Sequence, residues 1–535
     1  MILSGAYVTS DIAAEFGRLP PAFLPIGSEP LYVRQVAFAR ERTSTILLTI
    51  PADFQMTRSD ETRLEDLRVR IVRSPVSLSL ATATQFILEA LDVRGSLVLL
   101  HGDTLVDIGS ETLDDVIVVD ETDDFYPWAD VVNSAKPEQG LSLETSYGDG
   151  ARSRLVASGL FSFTNSSAFR DALNACPDFI SAVDSYGRRV PLRAVKAQRW
   201  YDFGSLSRMM RSRREILVSR AFNTLTCDGV SVVKTSRQKD KITAEIAWYE
   251  QLPSSMRAFT PHFLGVVREN LPDEFEIGYR LEYLYQPTLA ELFVFGRLPR
   301  YVWRQIIAKC LEFIEACRQI RPESDEAFSE RRELFDSLVK KKSRRRIEDF
   351  LATRNIALSN RITLNGVRTP RLEDVLDDLI SMIPSTSSET YSLMHGDLFF
   401  GNMFYDFRAK RVRVVDPRGH IDTGKPTLWG DWRYDLAKLA HSVHGQYDHI
   451  LLGSTKFREF GPMEYEFSRS DRDDLKALSE DFGALSMGGL SCLGPEIRAI
   501  EGLLFLSMLP MHAEAPLRQN KFFSNGLLIH RELTS

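Results

Sequence analysis

Met394-His395-Gly396-Asp397-Leu398-Phe399-Phe400-Gly401-Asn402, followed by the apolar run Val412-Arg413-Val414-Val415 and then Asp416-Pro417-Arg418-Gly419, gathers two aspartates and an asparagine around one strand. A carboxylate on a tight loop, as at Asp397, can accept the proton of a hydroxyl. Asn402, five residues later, can turn back from the same loop to a metal ion. Asp416, at the end of the next strand, can bridge such a metal to phosphates. Phosphoryl transfer needs little covalent help from a protein: the acceptor oxygen must be aligned and the phosphate charge neutralised. The pattern His-x-Asp-x-x-x-x-Asn, a strand, then Asp-x-x-Gly has that layout.

Upstream, Leu225-Thr226 and Val230-Ser231-Val232-Val233-Lys234 flank an Asp228-Gly229 turn and predict a hairpin. A helix is predicted over 240–251, closed by Leu252-Pro253, and a strand pair over 263–267 and 277–284. From Pro287 to Leu393 the pattern is mainly helical. It includes the basic run Lys340–Arg346, which reads as a solvated face. The apolar stretch Leu503–Met511 reads as a buried helix, far short of the ~20 residues a membrane span requires.

In this order the elements resemble the aminoglycoside phosphotransferase and choline kinase superfamily, which shares the protein-kinase fold. The resemblance implies Asp397 as catalytic base, Asn402 and Asp416 as Mg²⁺ ligands, and His395 as a loop-organising residue. It implies that Lys234 binds the α- and β-phosphates of ATP, with Glu245 as its ion-pair partner and Glu250 as the rival. Glu282-Tyr283-Leu284 takes the place of the hinge whose backbone binds adenine. In Gly430-Asp431-Trp432-Arg433-Tyr434-Asp435, Asp435 would brace the catalytic loop. Trp429, Trp432 and Tyr434 are either core packing or an aromatic box for a quaternary ammonium. One departure stands out: no G-x-G-x-x-G precedes Lys234, where the chain reads Asn223-Thr224-Leu225-Thr226-Cys227-Asp228-Gly229.

The N-terminal part has a different rhythm. Ile46–Ile50, Val69–Val72, Ser96–Leu100 and Val116–Val119 are short apolar runs, and Ala81–Leu91 has helical spacing. Strands alternating with helices imply an α/β layer with a mostly parallel sheet. His101-Gly102-Asp103 puts an acid at the C-terminal end of a buried strand, where ligands of open α/β sheets bind. Trp200-Tyr201-Asp202-Phe203-Gly204 supplies a second acid, and two separated carboxylates can hold one Mg²⁺. With Pro20-Pro21-Ala22-Phe23-Leu24-Pro25-Ile26-Gly27, these segments resemble the sugar-1-phosphate and phosphocholine nucleotidylyltransferases. That resemblance implies a metal pair of Asp103 and Asp202, and a substrate-side strand at Ala157–Phe163. It also implies nucleotide contacts from Gly5 and Arg18. The family's glycine-rich loop is replaced by Gly5-Ala6-Tyr7-Val8-Thr9-Ser10, and Pro21 stands where its signature lysine belongs; no lysine precedes Lys136. Arg18 or Lys196 would have to stand in.

The fold class expected is α/β: a nucleotidylyltransferase-like mixed sheet over 1–205, a linker helix over 206–221, then a protein-kinase-like α+β bilobal domain. Its N-lobe would run over 222–286 and its helical C-lobe over 287–535. Ser205–Phe222 carries five arginines, read as a solvated connector or as a cluster near phosphate. The expected cofactors and substrates are Mg²⁺, ATP and a second nucleoside triphosphate, with CTP one candidate. The expected partner is a small alcohol or sugar, which would be phosphorylated and then coupled to a nucleotide. Fusions of this type resemble enzymes that supply bacterial capsule or surface-polysaccharide precursors. Two rivals are a kinase whose N-terminal domain binds ligand without turnover, and a pseudokinase scaffold. A net charge of -7 argues against a nucleic-acid partner. Five scattered cysteines argue against zinc and disulfides and for a reducing cytoplasm. The first residues do not read as a signal peptide.

Overall fold

The apolar runs of the N-terminal part become neighbouring strands: Leu47–Pro51, Arg70–Ser74, Leu97–His101 and Val116–Thr122. The computed structural model describes all residues except 125, 134–140, 147–152, 219–224, 237, 271–274, 323–335, 421–425 and 454. The chain forms two compact units, Met1–Leu217 with Phe295–Arg297, and Val218–Val294 with Leu298–Ser535.

In the first unit Ile2–Leu3 runs parallel between Leu47–Pro51 and Leu97–His101, with Ile2 opposite Leu48 and Leu3 opposite His101. Arg154–Phe163 pairs antiparallel with both Leu97–His101 and Val116–Thr122. The nine-stranded sheet is therefore mixed, not mostly parallel. Between Thr122 and Arg154 the described residues form the strands Trp128–Asn133 and Leu141–Ser146, and antiparallel pairing needs no crossover helix. The helix Leu80–Ala90 starts where Ser79 accepts the Thr82 N–H, and Asn165 and Asp178 cap the two helices after Arg154–Phe163 in the same way. Those helices bury Phe169 and Tyr186 against Phe163, with the two phenylalanine rings stacked 3.9 Å apart.

The helix Leu206–Val218, expected as a linker, packs into this first unit. Ser212 Oγ takes the Asp202 N–H at 3.0 Å and donates to the Asp202 carbonyl at 2.8 Å, and Met209 is fully buried. Its apolar side had a surface to cover, which a solvated connector does not.

The second unit begins with four antiparallel strands in the order Leu225–Cys227, Ser231–Ser236, Phe275–Glu282, Phe263–Asn270. The helix Lys239–Gln251 buries Ile242, Glu245 and Trp248. From Leu289 onward helices are joined by short strand pairs and a second four-stranded sheet that includes Arg361–Leu364 and Glu464–Ser468, with Leu503–Leu506 buried in Pro495–Ser507. The basic run divides its labour: Lys340 and Arg346 donate to the carbonyls of Ile383 and Ser507, and Arg344 pairs with Asp377. Among the described residues no helix is long and apolar enough to cross a membrane. The fold class expected from the sequence is the one found: a mixed α/β sheet with helices, then an α+β unit that opens with an antiparallel sheet.

An ion cluster holds part of this second unit. Arg433, almost fully buried, bonds Asp431 through Nε at 3.0 Å and Nη2 at 2.6 Å, and Glu496 through Nη1 at 2.8 Å. Removing one member of a buried pair leaves an uncompensated charge. Arg433→Ala should cost about 3–5 kcal/mol, read as a lowered urea midpoint for this unit; an unchanged midpoint would show that the cluster is solvated.

Candidate active sites

The loop after strand Tyr391–Leu393 is pinned from behind. Asp435, on the first turn of helix Trp432–Val443, accepts the N–H of His395 through Oδ2 and that of Gly396 through Oδ1, each at 2.7 Å. Gly396 sits at φ +80°, a conformation glycine takes without strain, and a Cβ there would come 2.8 Å from that of Arg418. His395 is fully buried. Its Nδ1 accepts the Asp397 N–H at 3.3 Å and its Nε2 faces the Val415 carbonyl at 3.0 Å, so the bonding fits the neutral Nε2–H tautomer. Burial pushes its pKa down to about 4, against the pull of Asp397.

Around this loop three more candidates converge. Asn402 Nδ2 donates to the Asp397 carbonyl at 3.0 Å and to Asp397 Oδ2 at 3.2 Å, which turns its Oδ1 the other way. Asp416 sits at φ +56°, an uncommon conformation for a residue with a side chain, and its Oδ1 lies 3.1 Å from Lys234 Nζ. Lys234 Nζ also lies 2.7 Å from Glu245 Oε2, and Tyr279 donates its hydroxyl to the same oxygen at 2.7 Å. Glu245 is 1% exposed, whereas Glu250 faces solvent. Burial opposes the charge on Lys234, but Asp416 and then Glu245 overcome it and raise its pKa. For Asp397 burial is likewise outweighed, here by Lys438 at 2.8 Å, so its carboxyl stays below the usual range and ionised. Asn402 Oδ1 and Asp416 Oδ2 are hard oxygen donors, the kind Mg²⁺ takes one or two of while phosphates and water complete the shell. The residues present fit that ion.

At the hinge the N–H of Glu282 donates to His262 O and that of Tyr283 to Val230 O, both at 2.9 Å. The N–H of Leu284 makes no hydrogen bond among the described residues. Trp432 is buried, and Tyr434 receives the Arg418 guanidinium, so these two aromatics do not form a box open to a quaternary ammonium.

In the first unit, register brings the two acids together. Arg199–Asp202 pairs antiparallel with Thr104–Asp107, Asp202 opposite Thr104, and the Phe203 N–H donates to the Asp103 carbonyl at 2.8 Å. Gly204 lies between the carboxylates: a Cβ there would be 3.0 Å from Asp103 Oδ2 and 3.1 Å from Asp202 Oδ1. Burial and then Asp103 push the Asp202 carboxyl up to about 7. Its Oδ2 lies 3.2 Å from Arg208 Nε but off the line of a hydrogen bond. Both acids open onto a cavity of about 430 Å³ whose walls include His101, Tyr126, Trp128 and Trp200. Arg208 stacks over Trp128 at 4.2 Å and Trp200 at 5.0 Å. Two carboxylates crowded at the wall of a cavity are a donor set that a divalent cation would relieve.

Gly5 and Arg18 do not line this cavity. Gly5 follows strand Ile2–Leu3 at the same sheet edge as Asp103. Arg18 lies over the Tyr7 ring at 3.8 Å and 3.5 Å from Asp53. Lys196 pairs with Glu121 at 2.8 Å. Sequence reasoning missed Arg418, Lys438 and the Tyr126–Trp128–Trp200 wall. Helical spacing of Asp435 and Lys438 was the one available signal; nothing local marks the others.

No family model matches the chain, and no curated protein matches it in sequence. Solved structures of both kinds named by the sequence resemblance do align. The inositol-1-phosphate CTP transferase from T. maritima aligns at 13% identity and TM-score 0.31, over 40% of this chain and 94% of its own. The aminoglycoside-3'-phosphotransferase of type VIII aligns at 15% identity and TM-score 0.29, over 56% of this chain and 98% of its own. The aminoglycoside 2'-phosphotransferase-IIIa in its GDP complex aligns at 12% and 0.30, over 57% and 86%. The roles proposed below rest on side-chain geometry alone.

His395 gives a pH signature. The unfolded imidazole protonates near its ordinary 6.5, the native one near 4. Its contribution to stability is therefore present above 6.5 and lost as pH falls toward 4. His395→Asn should lose less stability between pH 7 and 5 than the parent, by roughly 2 kcal/mol. Parallel urea titrations at the two pH values check this, and identical pH slopes would refute it.

Proposed function

We propose that the chain is a bifunctional enzyme: an ATP- and Mg²⁺-dependent kinase acting on a small-molecule hydroxyl, and a nucleotidylyltransferase acting on the phosphorylated product. The contact of Lys234 with both Glu245 and Asp416, beside a loop that carries Asp397 and Asn402, is the observation that carries the kinase reading. Lys234 would hold the α- and β-phosphates, with Glu245 keeping it charged and aimed. Bound Mg²⁺ at Asn402 and Asp416 would neutralise phosphate charge. Asp397, held ionised by Lys438, would take the hydroxyl proton as that oxygen bonds to the γ-phosphorus and the bond to the β,γ-bridging oxygen breaks, releasing ADP. The hinge contact to adenine would come from Leu284 N–H beside Glu282.

In the N-terminal unit, Asp103 and Asp202 would hold a divalent cation that offsets triphosphate charge, while a phosphate-ester oxygen would bond to the α-phosphorus of a second triphosphate, CTP being one candidate, as the bond to the α,β-bridging oxygen breaks and pyrophosphate leaves. A cavity that opens on both acids supports this. A second reading, ligand binding without turnover in this unit, is favoured by Arg18 being engaged with Tyr7 and Asp53 and by Pro21 at the position the family gives to lysine. Supply of activated precursors for surface polysaccharide is the setting we propose.

A screen of alcohols and sugars for ADP release, repeated with each triphosphate for pyrophosphate, tests both activities. Asp397→Asn should lower ADP formation at least about 100-fold while Mg-ATP still shifts the melting temperature; unchanged turnover would sink the base assignment. Asp103→Asn should remove pyrophosphate release and spare ADP formation. Loss of both activities together would overturn the division of labour, and absence of pyrophosphate from the parent would favour the ligand-binding reading.

A further inference from the structure

Two cations stand near the Asp397 carboxylate, Lys438 in direct contact and Arg418 acting through space. Asp397 presents its oxygens in two directions: Oδ2 is 3.2 Å from Asn402 Nδ2, and Oδ1 is 2.8 Å from Lys438 Nζ. Lys438 lies one turn beyond Tyr434 on helix Trp432–Val443, so both side chains leave the same face. The Tyr434 hydroxyl accepts from Arg418 Nη1 at 3.2 Å, and the guanidinium carbon is 5.5 Å from the ring centre. Arg418 is anchored where it stands. Its N–H donates to the His395 carbonyl at 2.8 Å, and its Cβ abuts Gly396.

Two acids, Asp397 and Asp435, face these two cations through space, but only Lys438 has a direct carboxylate partner among the described residues. Lys438 is matched by Asp397. The next acid, Asp435, has spent both oxygens on backbone N–H groups. No carboxylate pairs with Arg418 among the described residues, and a phenol oxygen takes one of its five N–H donors. A half-buried guanidinium with an open fork matches the two oxygens of a carboxylate or phosphate. It also repels an ammonium brought to the same place.

We infer that the hydroxyl acceptor of the C-terminal unit is an anion, a carboxylate- or phosphate-bearing alcohol whose oxyanion is held by Arg418 while its hydroxyl meets Asp397. This rests on the kinase reading and narrows it: polyhydroxyl acids and phosphorylated sugars are substrates, whereas aminoglycoside-like and choline-like cations are not.

The test is ADP release from matched acceptors: glucose, gluconate, glucose 6-phosphate and glucosamine, with glycerol, glycerate, glycerol 3-phosphate and 3-aminopropane-1,2-diol. An anionic member should exceed its neutral partner in kcat/KM by tenfold or more and the ammonium member by a hundredfold; gluconate against glucose 6-phosphate tells carboxylate from phosphate. In Arg418→Met, KM for the anionic acceptor should rise tenfold or more with KM for ATP unchanged, and Arg418→Lys should fall between. Equilibrium binding supplies the second arm. With Mg²⁺ and a non-hydrolysable ATP analogue saturating the nucleotide site, inorganic phosphate or malonate should bind the parent at least tenfold more tightly than Arg418→Met. Preference for a neutral or cationic acceptor, a rise in KM for ATP instead, or equal or no anion binding by the two proteins overturns the inference and leaves the kinase reading standing. Failure to bind the nucleotide analogue or to release ADP with any acceptor sinks the kinase reading first.

Discussion

One buried carboxylate sets the geometry on which the C-terminal site depends. Asp435 accepts the two backbone N–H groups that immediately precede Asp397, each at 2.7 Å. Backbone donors inside a dry loop must find acceptors, and here both are satisfied by one side chain from a helix far along the chain. That fixes Gly396 at positive φ and sets the direction in which Asp397 leaves the loop. His395, held between the same partners, reaches the carbonyl of Val415 and so ties the loop to the strand that ends in Asp416. Asp416 in turn meets Lys234 on the antiparallel sheet, and Lys234 meets Glu245 on the helix beside it. A loop, a strand, a sheet and two helices are therefore linked through one chain of polar contacts.

The two units handle acidic groups in opposite ways. In the C-terminal unit Asp397 and Asp416 each have a lysine within 3.1 Å, and Asp397 stays ionised although burial works against it. In the N-terminal unit Asp103 and Asp202 crowd Gly204, and Asp202 is pushed up toward neutrality by burial and by its neighbour. Like charges held close are unfavourable unless a cation or a proton intervenes. Arg208 approaches Asp202 but is shared with Asp124 and two tryptophan faces. The first arrangement keeps its carboxylates charged beside cations; the second crowds two acids at the wall of a cavity.

Much of the fold was legible in the residues. Apolar runs bounded by turn residues marked the strands within a few positions, because a buried strand must be apolar throughout and a turn must not be. A mixed sheet was expected from the resemblance, but that Arg154–Phe163 is the strand that runs antiparallel was not legible, since strand direction is decided by which connection the intervening chain can make. The helix Leu206–Val218 read as a solvated connector because its arginines dominate; only the neighbouring surface shows that Met209 and Ser212 have something to pack on. Glu245 and Glu250 were equivalent as letters. They lie about 140° apart around a helix, and the sheet selects the one that faces Lys234.

By itself the sequence determined the order and chemistry of the groups: a lysine on an apolar strand, an aspartate and asparagine on one loop, an aspartate after the next strand, and two acids at the ends of strands of the N-terminal unit. Such features are local, because each is set by residues within one element or one turn. Only the tertiary structure decided what surrounds them. Lys438 beside Asp397, Arg418 against Tyr434, and Arg208 across Trp128 and Trp200 join residues from separate elements. Side-chain charge acts through space, and no spacing along the chain encodes which distant helix will supply it.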